Sequence, residues 1–352
     1  MAGFAIWFEG NKNNKNCEYL CDVHFNLWTK SIKRCDTFLD FGIKIPYISE
    51  LQSICLYLPY VLKKSDIKDL TKIIVSDKRI LDSVFNESYI AEEHELSKQY
   101  TIKKDGEKQF TMFALDANEE TDLNIQNKYD GTVISINLTN KSFIENECYY
   151  FRLRFNSKKL NKIVESKSDN LFLNSIGTEN NFIDFRLNNW RSLNNSSLKE
   201  RIQNESIKQY CIKKVNFFLM TEGKIDVNSL TKKSERKLEN EIWEKYTEKK
   251  IDNVIIASQW QDKISENTKV KNIESFNVYA KFKYQLCTPS IIINYILIFG
   301  IINVLYSLLY NYLFTNSNLV VHYVKIAILI VMYLIYLISI YFYKRLNKWE
   351  FY

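Results

Sequence analysis

Four residues near the start have the types that metal chemistry uses: Cys17, Cys21, His24 and Cys35 supply the thiolate and imidazole groups that zinc prefers. Their spacing argues against a shared ion. Residues Cys17 to Trp28 alternate, with Cys17, Tyr19, Cys21, Val23, Phe25 and Leu27 on one face and Glu18, Leu20, Asp22, His24, Asn26 and Trp28 on the other. His24 then points away from Cys17 and Cys21, and one tetrahedron does not close from opposite sides of a sheet. Buried strand thiols are expected there, and no metal.

The remaining candidates for catalysis are equally sparse. His94 sits in Glu92-Glu93-His94-Glu95, which has acid and base types but neither HExxH spacing nor an adjacent nucleophile, and it reads as a solvated loop. Asp184 and Arg186 form a polar pair on a predicted strand. No catalytic residue and no cofactor are expected from this chain.

A nucleic-acid surface has more to recommend it. In Cys148 to Phe155, Tyr149, Phe151, Leu153 and Phe155 share one face while Tyr150, Arg152 and Arg154 share the other, placing an aromatic ring beside two guanidinium groups. Lys158, Lys159 and Lys162 follow directly. The functional reading is contact with RNA or DNA phosphate, or with a ribonucleoprotein partner, through Tyr150, Arg152, Arg154, Lys158 and Lys159. The plainer one is an amphipathic strand with ordinary surface cations.

Composition closes other routes. The 352 residues are 46% hydrophobic and 25% charged, which excludes disordered and collagen-like classes. Eight Gly and three Pro, with no GxG, GxxxxGK or GxSxG, leave out the usual phosphate-cradling loops and the nucleophile elbow. The seven scattered cysteines and the absence of a leader at Met1 to Gly10 predict reduced thiols facing a cytosol. Residues 1–288 carry 44 basic and 40 acidic side chains, a balance that demands no polyanion.

The distribution of apolar residues is uneven. Tyr284 to Val324 holds 41 positions without Lys, Arg, Asp or Glu. Ile291 to Phe314 spans about 36 Å as a helix, longer than a hydrocarbon core of about 30 Å, and Leu319 to Tyr343 is of similar length. Thr315 to Asn318 joins them as a short polar turn. A transmembrane helical hairpin over 289–343 (291–314 and 319–343) is therefore expected, with a basic tail at 344–352. Lysines before it, and Lys344, Arg345 and Lys348 after it, predict an inner-membrane protein with both termini cytoplasmic. On the first helix Gly300, Asn303, Ser307 and Asn311 share a stripe; on the second, Lys325, Tyr336 and Ser339 do so with Met332 and Tyr343. Such stripes pack helices together, or line a wetted pathway when several hairpins self-associate in the bilayer.

The elements that must position these groups are mixed. Period-two segments recur at Thr132 to Leu138, Cys148 to Phe155, Phe182 to Leu187, Val215 to Met220, Ile251 to Ile256 and Phe276 to Tyr284. Helical spacing appears after Ser65, after the Ser197/Glu200 capping box, and over Leu230 to about Glu248. Glu92 to Lys108 and Ser157 to Asn170 read as linkers. The expected fold class is an α+β cytoplasmic region (1–288) with a mixed or antiparallel sheet and a break near 157–170, followed by the C-terminal two-helix transmembrane hairpin.

This layout, with the stretches Ile291 to Phe314 and Leu319 to Tyr343 and the tail Lys344-Arg345-Leu346-Asn347-Lys348, resembles the two-transmembrane effectors of bacterial antiphage systems, the retron-type effector above all. The resemblance implies a toxin of abortive infection. It is held inactive by a reverse transcriptase with its RNA-linked DNA and disrupts the inner membrane when released. Membrane effectors gated by cyclic nucleotides share the layout, and a membrane-anchored nuclease or transferase is the alternative from another class.

Overall fold

The computed structural model describes residues 3–10, 19–29, 37–94, 98–139, 143, 147–157, 160, 163–167, 178–223, 225–229, 231–251, 253–265, 272–285 and 289–314, with 323, 326–327, 330–331 and 333–334 beyond them. Its elements run β1 (Ala5–Gly10), β2 (Tyr19–Trp28), β3 (Phe38–Ile45), β4 (Leu51–Leu58), β5 (Ile67–Asp69), α1 (Thr71–Ser76), α2 (Lys78–Phe85) and β6 (Ile90–Glu93). Next come β7 (Gln99–Lys104), β8 (Glu107–Phe113), β9 (Leu123–Lys128), β10 (Gly131–Asn137), β11 (Tyr149–Asn156), β12 (Val164–Lys167) and β13 (Thr178–Leu187). The chain then forms α3 (Ser196–Glu205), β14 (Tyr210–Glu222), β15 (Asp226–Asn228), β16 (Ser234–Lys237), α4 (Asn240–Thr247), β17 (Ile255–Lys263), β18 (Phe276–Gln285) and α5 (Pro289–Phe314).

Three sheets organise the strands. The largest has ten, ordered β16-β17-β14-β2-β3-β11-β8-β7-β6, with β5 also paired to β11. It is mixed: β14 runs parallel to β2 and β11 parallel to β8, while β2/β3, β3/β11 and β14/β17 are antiparallel. The other two sheets are β1-β4-β10-β9 and β12-β13-β18-β15. The chain divides into two compact units, Met1–Ser166 with Asn181–Lys283 and Lys167–Asn180 with Tyr284–Tyr352.

Alternation decides which side of the large sheet is dry. Val23, Phe25 and Leu27 of β2, Leu39, Phe41 and Ile43 of β3, and Phe151, Leu153 and Phe155 of β11 are all at most 1% exposed. Phe25 packs on Phe41 at 5.4 Å and on Phe185 of β13 at 4.9 Å, and Phe185 meets Phe217 of β14 at 4.7 Å. Burying each such ring contributes about 1.5–3 kcal/mol. The opposite face is covered in part by helices, whose Leu70, Ile74, Ile80, Leu81, Trp243 and Tyr246 form a second core with Trp28 and Phe38.

Local chemistry sets several boundaries away from the expected ones. The helix expected after Ser65 starts only at Thr71, because Ile67–Asp69 pairs with β11, and it is broken at Asp77, whose extended backbone lets its carboxylate cap α2 by accepting from Arg79 N. In α3 the cap is Asn195 rather than Ser197: its Oδ1 accepts from Leu198 N at 3.1 Å. The long helix expected over Leu230 to Glu248 is confined to Asn240–Thr247, since Ser234–Lys237 pairs with β17. The linker expected over Glu92 to Lys108 is instead mostly strand, with β7 and β8 joined through the left-handed pair Asp105 and Gly106.

The expected fold class needs correcting at its membrane end. Among the described residues the fold is α+β, mostly sheet, with the five α-helices named above, and no transmembrane hairpin is found. A span requires about 20 consecutive apolar helical residues. Among the described residues no helix is long and apolar enough to cross a membrane. In α5 the apolar run is punctuated by Asn294, Gly300, Asn303, Ser307 and Asn311. The turn and most of 319–343 lie outside the described residues, as does the tail at 344–352. The inner-membrane, two-pass localisation expected from the charge distribution falls with it. The reduced-thiol expectation is also modified: Cys21, Cys55 and Cys148 are free, whereas Cys211 is disulfide-bonded.

Candidate functional site: a polar ladder across the large sheet

Residues paired across neighbouring strands share a face, so the register assembles the polar side of the sheet row by row. One row is Lys263, Lys214, Asp22, Lys44 and Tyr150. The next is Gln261, Asn216, His24, Gly42 and Arg152, and the third is Gln259, Phe218, Asn26, Asp40 and Arg154. Trp28 and Phe38 follow, where the helices begin to cover the sheet.

The inner rows form a buried charge network. Arg154 grips Asp40 with two bonds, Nε to Oδ1 at 2.7 Å and Nη2 to Oδ2 at 3.1 Å. Tyr246 of α4 donates its hydroxyl to Asp40 Oδ2 at 2.7 Å, and Trp28 Nε1 donates to the same oxygen at 3.2 Å. Arg152 donates from Nη1 to Tyr150 Oη at 2.9 Å and from Nη2 to Tyr246 Oη at 3.1 Å. The Asn26 amide, turned with its oxygen toward Arg152, accepts from Nη2 at 2.6 Å while its nitrogen donates to Phe25 O at 3.0 Å. Arg154 also lies between the rings of Phe38 (4.2 Å) and Tyr246 (4.9 Å).

Gly42 makes this packing possible. A Cβ there would sit 2.3 Å from Tyr150 Oη and 2.9 Å from Arg152 Nη1, so both side chains lie directly over the β3 backbone. His24, in the same row, is held neutral: burial, then the charge of Arg152, lowers its pKa to about 3. Two guanidinium groups therefore face one carboxylate, and Arg152 Nε has no hydrogen-bond partner among the described residues. The network is a buried cation cluster with one net positive charge, the arrangement in which removal of a partner is most costly.

These positions correct the expected nucleic-acid surface. The alternation in β11 is as expected, but Tyr150, Arg152 and Arg154 are 0%, 1% and 5% exposed. Groups bonded to Asp40 and Tyr246 beneath α4 have no access to a polyanion. Lys158 and Lys159 lie outside the described residues. Of the expected pore or packing residues, Gly300 and Ser307 of α5 are half-buried and Asn303 is exposed. Asn311 is in the same helix, and Lys325, Tyr336 and Ser339 lie outside the described residues. Ile296, Phe299, Ile302 and Leu305 of α5 are exposed as well.

Cys21 is buried on the apolar face opposite His24, Cys17 and Cys35 lie outside the described residues, and no group of metal-ligating side chains occurs among the described ones. Asp184 and Arg186 do meet, as a bidentate pair at 2.8 and 2.7 Å on β13, with the guanidinium about one-third exposed. His94 takes part in a hairpin, its backbone N donating to Gln99 O.

Sequence reasoning missed the outer end of the ladder. There Asp22, Lys44, Lys213 and Cys148 line an open cleft of about 350 Å³, with Tyr19, Leu20 and Pro46 as its apolar side. Lys213 reaches it because a bulge between Ile212 and Lys214 inserts one extra residue into β14 and re-aims the chain. Burial raises the Asp22 pKa while Lys214, Lys44, Lys213 and Lys263 pull it back. The Cys148 thiol is pushed by burial up to about 11 and carries no charge near neutrality. Tyr19 stacks on Tyr47 at 4.8 Å. The only sequence signal for this cleft was the polar side of the Cys17 to Trp28 alternation, which names Asp22 but not its neighbours.

Comparison with known proteins adds no identity. No family model matches the sequence, and no curated protein matches it. Among solved structures, the Mu homology domain of Fcho1 from Danio rerio, bound to an Eps15 peptide, aligns over 77% of this chain and 80% of that one at 6% identity and a TM-score of 0.12. At that score the likeness carries no argument for fold or function.

Proposed function

We propose that the chain is an effector of bacterial antiphage defence whose β-rich unit is its control module, switched by a negatively charged molecule received on the polar face of the large sheet. The reading keeps from the resemblance a large regulatory region, without its membrane hairpin, and joins it to one observation, the lysines gathered around the single carboxylate of Asp22 at the open end of the ladder. Many surface lysines elsewhere are engaged, as in Lys78 with Asp82 and Lys98 with Glu119 and Asp122. Among the described residues no ion pair within 4 Å holds Lys44, Lys213 or Lys214. Control by a small ligand is favoured over control by a ribonucleoprotein, because the arginines expected to meet nucleic acid are spent inside the fold.

The test is growth. Induced alone in bacterial cells, the chain should arrest growth, and Lys44→Glu with Lys213→Glu should change the extent of that arrest at equal expression. Unimpaired growth with the unaltered chain overturns the effector reading.

A further inference from the structure

Resting on the reading of the sheet face as a ligand-receiving surface, we propose that the cleft between β2, β3 and the bulge of β14 binds a small phosphate ester of the nucleotide class. Its shape and chemistry point the same way. The cleft, about 350 Å³ and open to solvent, has room for one small molecule. Two lysines from different strands, Lys44 and Lys213, flank one carboxylate, so the lining is net positive, and Lys214 and Lys263 lie close enough to Asp22 to act on its charge.

Each lining group has a distinct role. Lys44 and Lys213 are compact, mobile cations that meet phosphate oxygens as point charges. The Lys44 ammonium lies 4.6 Å from the Phe110 ring, which does not neutralise it. Asp22 accepts from a hydroxyl or exocyclic amine of the ligand, which is the part that inorganic phosphate lacks. The Tyr19 ring, braced by Tyr47 at 4.8 Å and Tyr210 at 5.0 Å, supplies with Leu20 and Pro46 an apolar side for a base or sugar. In the adjacent row of the same face the buried Arg152 guanidinium adds positive charge.

The experiment is calorimetric titration of the purified full-length chain with adenosine 5′-monophosphate, guanosine 5′-monophosphate and a cyclic dinucleotide. Adenosine, inorganic phosphate and a short oligothymidylate serve as comparison arms. At least one phosphate ester should bind saturably at one site, with the unphosphorylated nucleoside and inorganic phosphate each weaker by tenfold or more. Lys44→Gln and Lys213→Gln should each weaken it by about tenfold, as the loss of one charge-assisted contact. Asp22→Asn should weaken nucleotides without weakening inorganic phosphate. Lys98→Gln, away from the cleft, should leave the affinity unaltered, and unchanged melting curves show that the variants are folded. Nucleoside binding as tight as nucleotide, equal affinity in the Lys44 and Lys213 variants, or no binding by any phosphate ester at millimolar concentration overturns the proposal. Preferential binding of the oligothymidylate overturns it in favour of a nucleic-acid partner. Because this readout is binding and that of the effector reading is growth, either can fail without the other.

Discussion

Arg154 holds Asp40 in a two-pronged ion pair that is almost wholly removed from solvent, with side chains 7% and 0% exposed. The pair joins two central strands of the large sheet, and Tyr246 of α4 closes over it with a 2.7 Å hydrogen bond to the same carboxylate. It is thus the point at which the helical layer is fastened to the sheet by polar contacts rather than by packing alone.

Breaking this fastening should be costly. Asp40→Asn leaves both guanidinium groups without a counter-charge and should lower unfolding free energy by about 3–5 kcal/mol. Tyr246→Phe removes one donor and should cost about 1–3 kcal/mol. The joint change Asp40→Leu with Arg154→Met should cost less than Asp40→Asn. Urea unfolding followed by circular dichroism checks all three, and a joint variant as unstable as Asp40→Asn would show that the pair is not merely compensating its own desolvation.

Gly42 should tolerate no side chain. A methyl group at 2.3 Å from Tyr150 Oη forces the Tyr150–Arg152 pair off the β3 backbone, so Gly42→Ala should destabilise by about 1–3 kcal/mol. The measurement is the urea midpoint at unchanged slope. A neutral result would mean that the phenol moves without loss.

Two half-buried groups pull the pH dependence in opposite directions. His24 has a pKa near 3 in the fold against an ordinary 6.5, so the unfolded chain binds the extra proton and stability is lost as pH falls from about 6.5 toward 3. Asp69, half-buried and accepting from Thr71, is raised by desolvation to about 7 from 3.8. There the fold keeps the proton, and stability is lost as pH rises from about 4 to 7. Each contributes up to about 1.4 kcal/mol per pH unit, so they largely cancel between pH 4 and 6.5. Asp69→Asn should expose a rising slope with pH in that window, and His24→Gln a falling one. Identical slopes in the two variants would contradict the assignment.

The turn between β9 and β10 places Tyr129 and Asp130 both in the left-handed region, with φ of 60° and 61°. Tyr57 Oη donates to Tyr129 O at 2.8 Å and steadies it. Glycine adopts this conformation without the Cβ clash, so Asp130→Gly should raise stability by about 0.5–1 kcal/mol. A drop in melting temperature would show that the Asp130 side chain contributes more than its backbone conformation costs.

The period-two pattern of residues 17–28 and 148–155 reveals the strands and, correctly, which side chains share a face. The same pattern does not say which face is covered. Arg152 and Arg154 read as exposed cations beside an aromatic ring because Tyr246, the group that buries them, lies more than 90 residues further along the chain. The helices were misplaced for the opposite reason: Ile67–Asp69 and Ser234–Lys237 follow strand partners that local periodicity cannot see. The apolar residues of 291–314 do predict a helix, and they predict a bilayer only if length and composition suffice on their own.

By itself, then, the sequence determined part of the strand content, the face-sharing sets along β2 and β11, and the helix within Pro289–Phe314, because alternation and helical spacing are short-range properties of the backbone. Tertiary structure alone decided that Asp40, Arg152 and Arg154 form an internal network, and that Asp22, Lys44 and Lys213 meet in a cleft. Strand order and a single β-bulge bring those three together from positions nearly 200 residues apart, and no local pattern encodes a register between strands so distant in the chain.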